Sequence, residues 1–474
     1  MITTGKKIYM VGIKGVGMTA LALIYKKLAN HIIGSDIGTV FPTDRILKEN
    51  NIPIKGGFTP RNITDDIDLV VTTGAHGGMT NPEVEEAINK GIEVLTHGQA
   101  LGGLMDDFKT TISVCGAHGK TTTSALAAYV LYNSTLKGAH LVGTAEFSSL
   151  TGGDYWGNDY FVSEADEYSN SPGTDPTPRF MFQHPDYIVC TNIDFDHPDR
   201  YKDLYDVQQS YKKFFTTQNQ DRKGILIYCG DDDVSVDASQ DVPSENKYSF
   251  GFSEKCDLLL SDYGVRENKS YFTASFKGKD LGEFNLYIPG RHNVLNTGAV
   301  ILLAHLLDLD IDNTRTTLSH FTGSSRRFEE IFIGNDIYLY DDYAHHPKEI
   351  AAVIEAARSR FPQHRVILIF QPHTYSRTKM LAERFIEALS EADRSYVLDV
   401  FASAREKETQ AVYSSEQLIE QARLESKTNI EYLSSSNLSL LKDVIKRGDI
   451  VITVGAGDIY KYHSELVNII AHAG

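Results

Sequence analysis

The segment GAHGKTTT, Gly116 to Thr123, sets two glycines, a lysine and three threonines between an apolar run and a helical pattern. Such a turn aims backbone N–H groups and a helix N-terminus at phosphate oxygens. The lysine then meets the β- and γ-phosphates, and a threonine hydroxyl joins Mg²⁺. The spacing G-x-x-G-K-T differs from the common P-loop, because Val114 stands where that pattern has glycine. Strand, turn, lysine, threonines and helix nevertheless follow in order, which a surface lysine on a glycine turn does not explain. Gly116, Gly119, Lys120, Thr121 and Thr122 are the expected triphosphate-binding residues, with ATP as the substrate.

Magnesium needs further oxygen ligands. SEADE (Ser163 to Glu167) and NIDFDHPD (Asn192 to Asp199) each follow a predicted buried strand, at the edge where acids face the crevice of a parallel sheet. Taken alone, either run reads as a solvated loop. With the phosphate loop upstream, Glu164 and His197 join Thr121 as the expected metal ligands.

A second glycine turn precedes the first in the chain. GIKGVGMTA follows IYMV, and Gly15, Gly17 and Ala20 form G-x-G-x-x-A. Asp36 lies about 20 residues on, where dinucleotide-binding proteins keep a ribose-binding acid. By itself this fits an NAD-dependent dehydrogenase, but that reading leaves the phosphate loop at Lys120 idle. A non-catalytic nucleotide switch would explain Lys120 and leave the first turn unused.

The elements that must position these turns alternate. Apolar runs KIYMVGI, HIIGSD, DLVVTT and IEVLTH are separated by helical patterns up to about residue 106, the mark of a parallel sheet with crossover helices. TTISVCGAHGKTTTSALAAYVLY restarts the alternation, followed by strands at DYFVSEAD, YIVCTNID and GILIYCG and by antiparallel hairpins from Asp257 to Ile288. A third series, IYLYDDYA, RVILIFQP, SYVLDVF and DIVITVGAG, closes the chain. The polar segments Ser169 to Arg179 and Asp231 to Asn246 read as loops. The expected class is α/β in three domains: a Rossmann-like one over 1–107, a central P-loop ATPase-type mixed sheet over 108–324, and a Rossmann-like one over 325–474.

With 474 residues the chain has ample core-forming capacity for such an arrangement. A formal charge of −17 argues against nucleic acid as the main partner. The four cysteines are widely spaced with no CxxC, so neither zinc nor a disulfide framework is indicated, and a reducing cytoplasm fits. Neither a signal core nor an 18-residue apolar run is seen, so no membrane insertion is expected.

GAHGKTTT, SEADE, NIDFDH, PGRHNVLN, SSRRFE, DDYAHHP and QPHTYSR occur in this order. Together with GIKGVGM they resemble the ATP-dependent Mur ligases of peptidoglycan synthesis, over nearly the whole chain and most like the alanine-adding branch. The resemblance implies UDP-N-acetylmuramate and L-alanine as substrates, ATP and Mg²⁺, an acyl phosphate on the lactyl carboxylate, and a monomer or homodimer. It implies that Gly12, Gly15, Val16, Gly17 and Met18, with Asp36 and His118, hold the UDP-sugar. Lys14 departs from a glycine common in the family; it points either to solvent or toward the diphosphate. His292, Asn293 and Asn296 resemble adenine-binding positions, although the bare sequence also suits helix capping. Arg327 resembles an arginine that reaches the ATP phosphates, and Asp342 a residue that holds the ribose. Lys120, Arg327 and His345 would be catalytic, His345 as a candidate base. Tyr343, His345, His373 and Arg377 resemble positions that meet the amino acid and the muramoyl carboxylate, while His346 reads as a packed histidine. The alternative is the recycling branch that attaches a tripeptide; QPHTYSR favours the alanine branch. The polar run after EADE, and YWGNDY before it, depart from the family pattern.

Overall fold

The computed structural model describes residues 4–198, 200–217, 224–402 and 413–472. Its first sheet has five parallel strands in the spatial order Ile54–Gly56, His31–Asp36, Lys7–Val11, Leu69–Thr72, Glu93–Thr96. The order reverses between Lys7–Val11 and Leu69–Thr72, so a ligand crevice opens at the carboxyl ends of those two strands. Gly12 follows Val11 directly and leads into the helix Val16–Lys27. That helix buries Met18, Leu21 and Ile24 against the sheet.

The second sheet has ten strands. In its middle Ile225–Cys229, Tyr187–Cys190, Thr110–Cys115 and Tyr160–Glu164 run parallel. At one end Leu258–Arg266, Lys269–Phe276 and Lys279–Leu286 form the antiparallel hairpins read from the period-two pattern. At the other end the hairpin Gly138–Phe147 and Leu150–Tyr155 was not legible in the sequence. Its purpose is packing: Ala139 and Leu141 share a core with Ala20, Leu21 and Ile24 of the first unit. Lys27 pairs with Asp154 at 2.8 Å beside them.

The two polar segments expected as loops are folded. Ser169–Ser171 pairs with Asp175–Pro178 in a short hairpin. Within the other, Asp233–Ala238 is a helix whose N-cap, Asp232, accepts the Ser235 N–H at 3.0 Å. Short polar side chains that satisfy local backbone groups make such pieces look like loops from composition.

The third sheet orders Glu329–Gly334, Ile337–Asp342, Asp449–Val454, Arg365–Phe370, Arg394–Val397 and Ile430–Tyr432. All pairs are parallel except the first. Asp449–Val454, buried at every position, lies at its centre, as an apolar parallel strand should. Among the described residues no helix is long and apolar enough to cross a membrane.

Candidate active site

Three loops leave the carboxyl ends of three adjacent parallel strands: Gly116–Gly119 after Thr110–Cys115, Ala165–Glu167 after Tyr160–Glu164, and Thr191–His197 after Tyr187–Cys190. Gly119 has φ +81°, and a Cβ there would lie 2.5 Å from Asn296 Oδ1, so this turn requires glycine. The helix Lys120–Tyr132 begins immediately after it.

Lys120 Nζ donates to Glu167 Oε2 at 2.9 Å, to Oε1 at 3.1 Å and to the Gly116 carbonyl at 2.6 Å. Glu167 was missed from the sequence, although it closes the quoted SEADE run. Burial would raise its carboxyl value, but Lys120 and His197 outweigh this and hold it below normal. Glu164 accepts from Ser124 Oγ at 3.1 Å and Gly143 N at 2.6 Å and lies 3.4 Å from Thr121 Oγ1. Here burial prevails and the carboxyl value is raised. The expected metal ligands therefore fall into two adjoining groups: Thr121 with Glu164, and His197 with Glu167 and Asp196, whose ligand atoms lie within 4.8 Å of one another.

Behind the loop is a cavity of about 270 Å³. Gly119, Thr122, His292, Asn293, Asn296, Arg327 and Asp342 all line it, so sequence positions 119 to 342 converge on one space. Asn293 Nδ2 donates to Pro289 O at 2.6 Å, and Asn296 Nδ2 to Asn293 Oδ1 at 3.4 Å. His292 Nδ1 is buried without a hydrogen-bond partner, and burial pushes its value down to about 4. Asp342 accepts from Phe328 N and Ala344 N, both at 2.8 Å. Burial pushes its carboxyl up to about 6, against the opposing pull of Arg327.

The third sheet meets the phosphate loop through several buried polar pairs. Arg327 Nη2 lies 3.4 Å from Thr121 Oγ1, and Arg326 and Arg327 both pack on the Tyr343 ring, at 5.1 and 5.2 Å. His345 Nδ1 lies 3.0 Å from the Tyr343 carbonyl, which can only accept, so its lone pair is on Nε2. Burial lowers the His345 value to about 4. Arg377 donates from Nε and Nη2 to Asp196 Oδ1 at 3.0 and 2.7 Å, and lies 3.3 Å from His373 Nδ1.

His118 sits at this junction rather than beside the first glycine turn. Its Nδ1 is 3.3 Å from Glu349 and its Nε2 3.4 Å from Asp194. Burial would lower its value, but the two carboxylates raise it to about 9. The two contacts place His118 between the loop Thr191–His197 and the helix Pro347–Arg360. His346 is a packed residue as read: fully buried, it caps the helix Pro347–Arg360 and lies against the His118 ring at 4.5 Å. Glu349 was missed, and its signal was the third helical position after a cap, where a carboxylate reaches back to backbone N–H groups.

In the first unit Asp36 Oδ2 accepts Lys14 N at 2.8 Å and Oδ1 accepts Ile37 N at 2.8 Å, so the acid shapes the turn itself. Both readings of Lys14 are corrected. It is buried, and its ammonium donates to Thr39 O at 2.9 Å and Ile37 O at 3.2 Å and pairs with Asp44 at 3.1 Å. Three partners occupy its three N–H groups, leaving none for solvent or a diphosphate.

Three family models match the chain: the Mur ligase family catalytic domain over residues 7–109, the Mur ligase middle domain over 114–304, and the Mur ligase glutamate ligase domain over 326–457. The UDP-N-acetylmuramate–L-alanine ligase of Lactobacillus johnsonii is 36% identical over 463 residues, 98% of each chain. That of Desulfitobacterium hafniense is 36% identical over 466 residues, 97% of this chain and 99% of the relative. Among solved structures, the UDP-N-acetylmuramate-alanine ligase of Thermotoga maritima superposes with a TM-score of 0.79 at 28% identity, covering 98% of both chains. A murein peptide ligase of Psychrobacter arcticus, at 22% identity and a TM-score of 0.73 with 99% of both chains covered, shares the fold. With matches of this identity along almost its full length, the chain belongs to the Mur ligase family.

Proposed function

We propose that the chain joins L-alanine to the lactyl carboxylate of UDP-N-acetylmuramate, driven by ATP, in the synthesis of peptidoglycan precursors. The observation that carries this is the end-to-end similarity to alanine-adding ligases, supported by the convergence of the seven cavity residues beside Lys120. Nucleotide-activated substrates of this kind place the reaction in the cytoplasm.

The lactyl carboxylate attacks the γ-phosphate to give an acyl phosphate, and the alanine amine then displaces phosphate. Both reactants of the first step are anionic, so neutralising and aligning charge is the main demand. Lys120 and Arg327 supply that charge, with Lys120 leaving Glu167 to reach the phosphates. Oxygen donors from Thr121 and Glu164, with His197 beside Glu167 and Asp196, suit a hard cation. They would hold Mg²⁺, which when bound spreads the negative charge of the transferring phosphoryl group. Asn293, Asn296 and Asp342 hold the nucleoside, and Gly12, Gly15, Val16, Gly17 and Met18 cradle the UDP diphosphate at a helix N-terminus. Tyr343, His373 and Arg377 face the amino-acid side. His345, neutral with its lone pair on Nε2, accepts a hydrogen bond from the alanine amine, and its lowered value makes it a binder of that amine rather than a base strong enough to deprotonate the ammonium alone.

Phosphate release by the purified protein with ATP, Mg²⁺ and UDP-N-acetylmuramate tests the reading, with L-alanine, the tripeptide or no amine added. Release that needs L-alanine and gives a product heavier by one alanyl residue is expected. Release with tripeptide alone would reassign the chain to the recycling branch.

A further inference from the structure

Lys14 is the residue of the first glycine turn that the proposed reaction leaves without a role, and its contacts reach beyond its own loop. Its N–H is held by Asp36, its carbonyl accepts from Thr43 Oγ1 at 2.5 Å, and its ammonium closes on Ile37 O, Thr39 O and Asp44. The side chain passes over the Phe41 ring at 5.7 Å. A single lysine thus ties the glycine turn to the whole segment Ile37–Asp44, which follows the carboxyl end of the strand His31–Asp36.

The braced segment exposes apolar side chains. Ile37 is 36% and Val40 71% exposed, and both follow a strand end at the ligand edge of a parallel sheet. The same segment touches the third unit: Tyr460 Oη donates to the Val40 carbonyl at 3.4 Å, and the Tyr460 ring carries the Arg326 guanidinium at 5.1 Å. Arg326 in turn binds Asp341 at 2.9 Å, one residue from Asp342 of the nucleoside cavity.

We infer that Lys14 is a positioning residue for the UDP-sugar: it fixes Ile37–Phe41 as an apolar wall beside the glycine turn and presents that wall to Tyr460. This rests on the UDP-sugar assignment above. An ammonium suits the task because it satisfies two carbonyls and a carboxylate at once and lies over an aromatic ring. Lysine here does the work of orientation, and the diphosphate is left to the backbone N–H groups of the helix Val16–Lys27.

The test combines titration of UDP-N-acetylmuramate into the full-length protein with steady-state kinetics, for wild type, Lys14→Met, Lys14→Arg, Tyr460→Phe and the double variant Lys14→Met with Tyr460→Phe. Methionine keeps the stem and removes the charged donors. Loss of these hydrogen bonds should weaken UDP-sugar binding and raise its KM about tenfold, with KM values for ATP and L-alanine within about twofold of wild type. Lys14→Arg should recover most of the loss. Tyr460→Phe should raise the same KM about threefold, and the double variant should fall short of the product of the two. Unchanged UDP-sugar binding in Lys14→Met would overturn the inference. So would a parallel rise in all three KM values, the pattern of a brace with structural value alone, and an additive double variant would remove the link to Tyr460. Wild type that binds the UDP-sugar without turning over would instead defeat the proposed reaction, and the binding ratios would still decide the role of Lys14.

Discussion

Arg377, on the helix Tyr375–Met380 of the third unit, and Asp196, in the loop after the strand Tyr187–Cys190 of the second, are joined by two hydrogen bonds to one carboxylate oxygen, at 2.7 and 3.0 Å, with both side chains under 10% exposed. Burial alone would raise the Asp196 value, but His197 and Arg377 hold it well below the usual carboxylate range. Removing the guanidinium leaves a buried charge with less compensation. Arg377→Ala should therefore cost about 3 kcal/mol of stability, and adding Asp196→Asn should return part of it. Thermal unfolding of the two variants measures this; equal stability of the single and double variants would show that the pair carries no net tension. The depressed value means that Asp196 stabilises the fold above the unfolded carboxylate range and that this contribution disappears as pH falls through its folded value.

Gly119 lies directly against the Asn296 amide in the cavity lining, with no room for a methyl group. Gly119→Ala adds both a clash with the Asn296 amide and a left-handed backbone cost of roughly 1–3 kcal/mol. ATP affinity should fall by about tenfold or more, while UDP-sugar binding at the first glycine turn persists. Titration of each ligand separately would reveal the contrast, and loss of both would mean that the two phosphate loops are not independent.

Lys120 is paired with Glu167 in this structure, so the proposed phosphate binding would exchange one anionic partner for another. Lys120→Ala should lower kcat by several orders of magnitude, about the scale expected when a key charge is absent from a phosphoryl-transfer site, again with UDP-sugar binding intact. Glu167→Gln should act oppositely on one quantity: metal-free ADP binds more tightly because Lys120 no longer has to leave a carboxylate. Calorimetric titration without divalent cations checks this, and weaker ADP binding in Glu167→Gln would place the carboxylate on the binding side of the balance instead.

What the sequence disclosed follows from how local each signal is. The parallel strands around Lys120 were legible because both faces are buried and their apolar runs are continuous. The residues that line the cavity beside the phosphate loop were named through family likeness, since nothing in PGRHNVLN by itself distinguishes the proposed adenine recognition from a helix start. The hairpin Gly138–Tyr155 escaped because its core lies on a helix of another unit, a partnership with no local periodicity. Glu167, Asp194, Asp196 and Glu349 escaped for a related reason: Lys120 faces Glu167, His118 faces both Asp194 and Glu349, and Arg377 faces Asp196, all pairs between 47 and 231 residues apart. Acids within a visible motif are easy to see, whereas which cation each one faces is a property of the assembled sheets.

Asp342 offers a titration within the working range. Burial sets its folded value at about 6, above an ordinary aspartate. Its two oxygens accept the Phe328 and Ala344 N–H groups, and a proton on either would point a donor at a donor. Ionised Asp342 is thus the form that keeps the backbone at Phe328 and Ala344, and the cavity wall to which Phe328 and Asp342 belong, in order. The kcat/KM for ATP, which reports the free enzyme, should fall as pH drops through about 6. Stability should move the other way. Because the folded value exceeds the unfolded one, the stabilising contribution of protonated Asp342 is complete below the unfolded range and is lost as pH rises through about 6. In Asp342→Asn the kcat/KM for ATP should be lower at neutral pH and should lack this inflection. Parallel pH profiles of the two proteins measure it, and an inflection near 6 that survives in the variant would assign the titration to another group, with Glu164 the first to test.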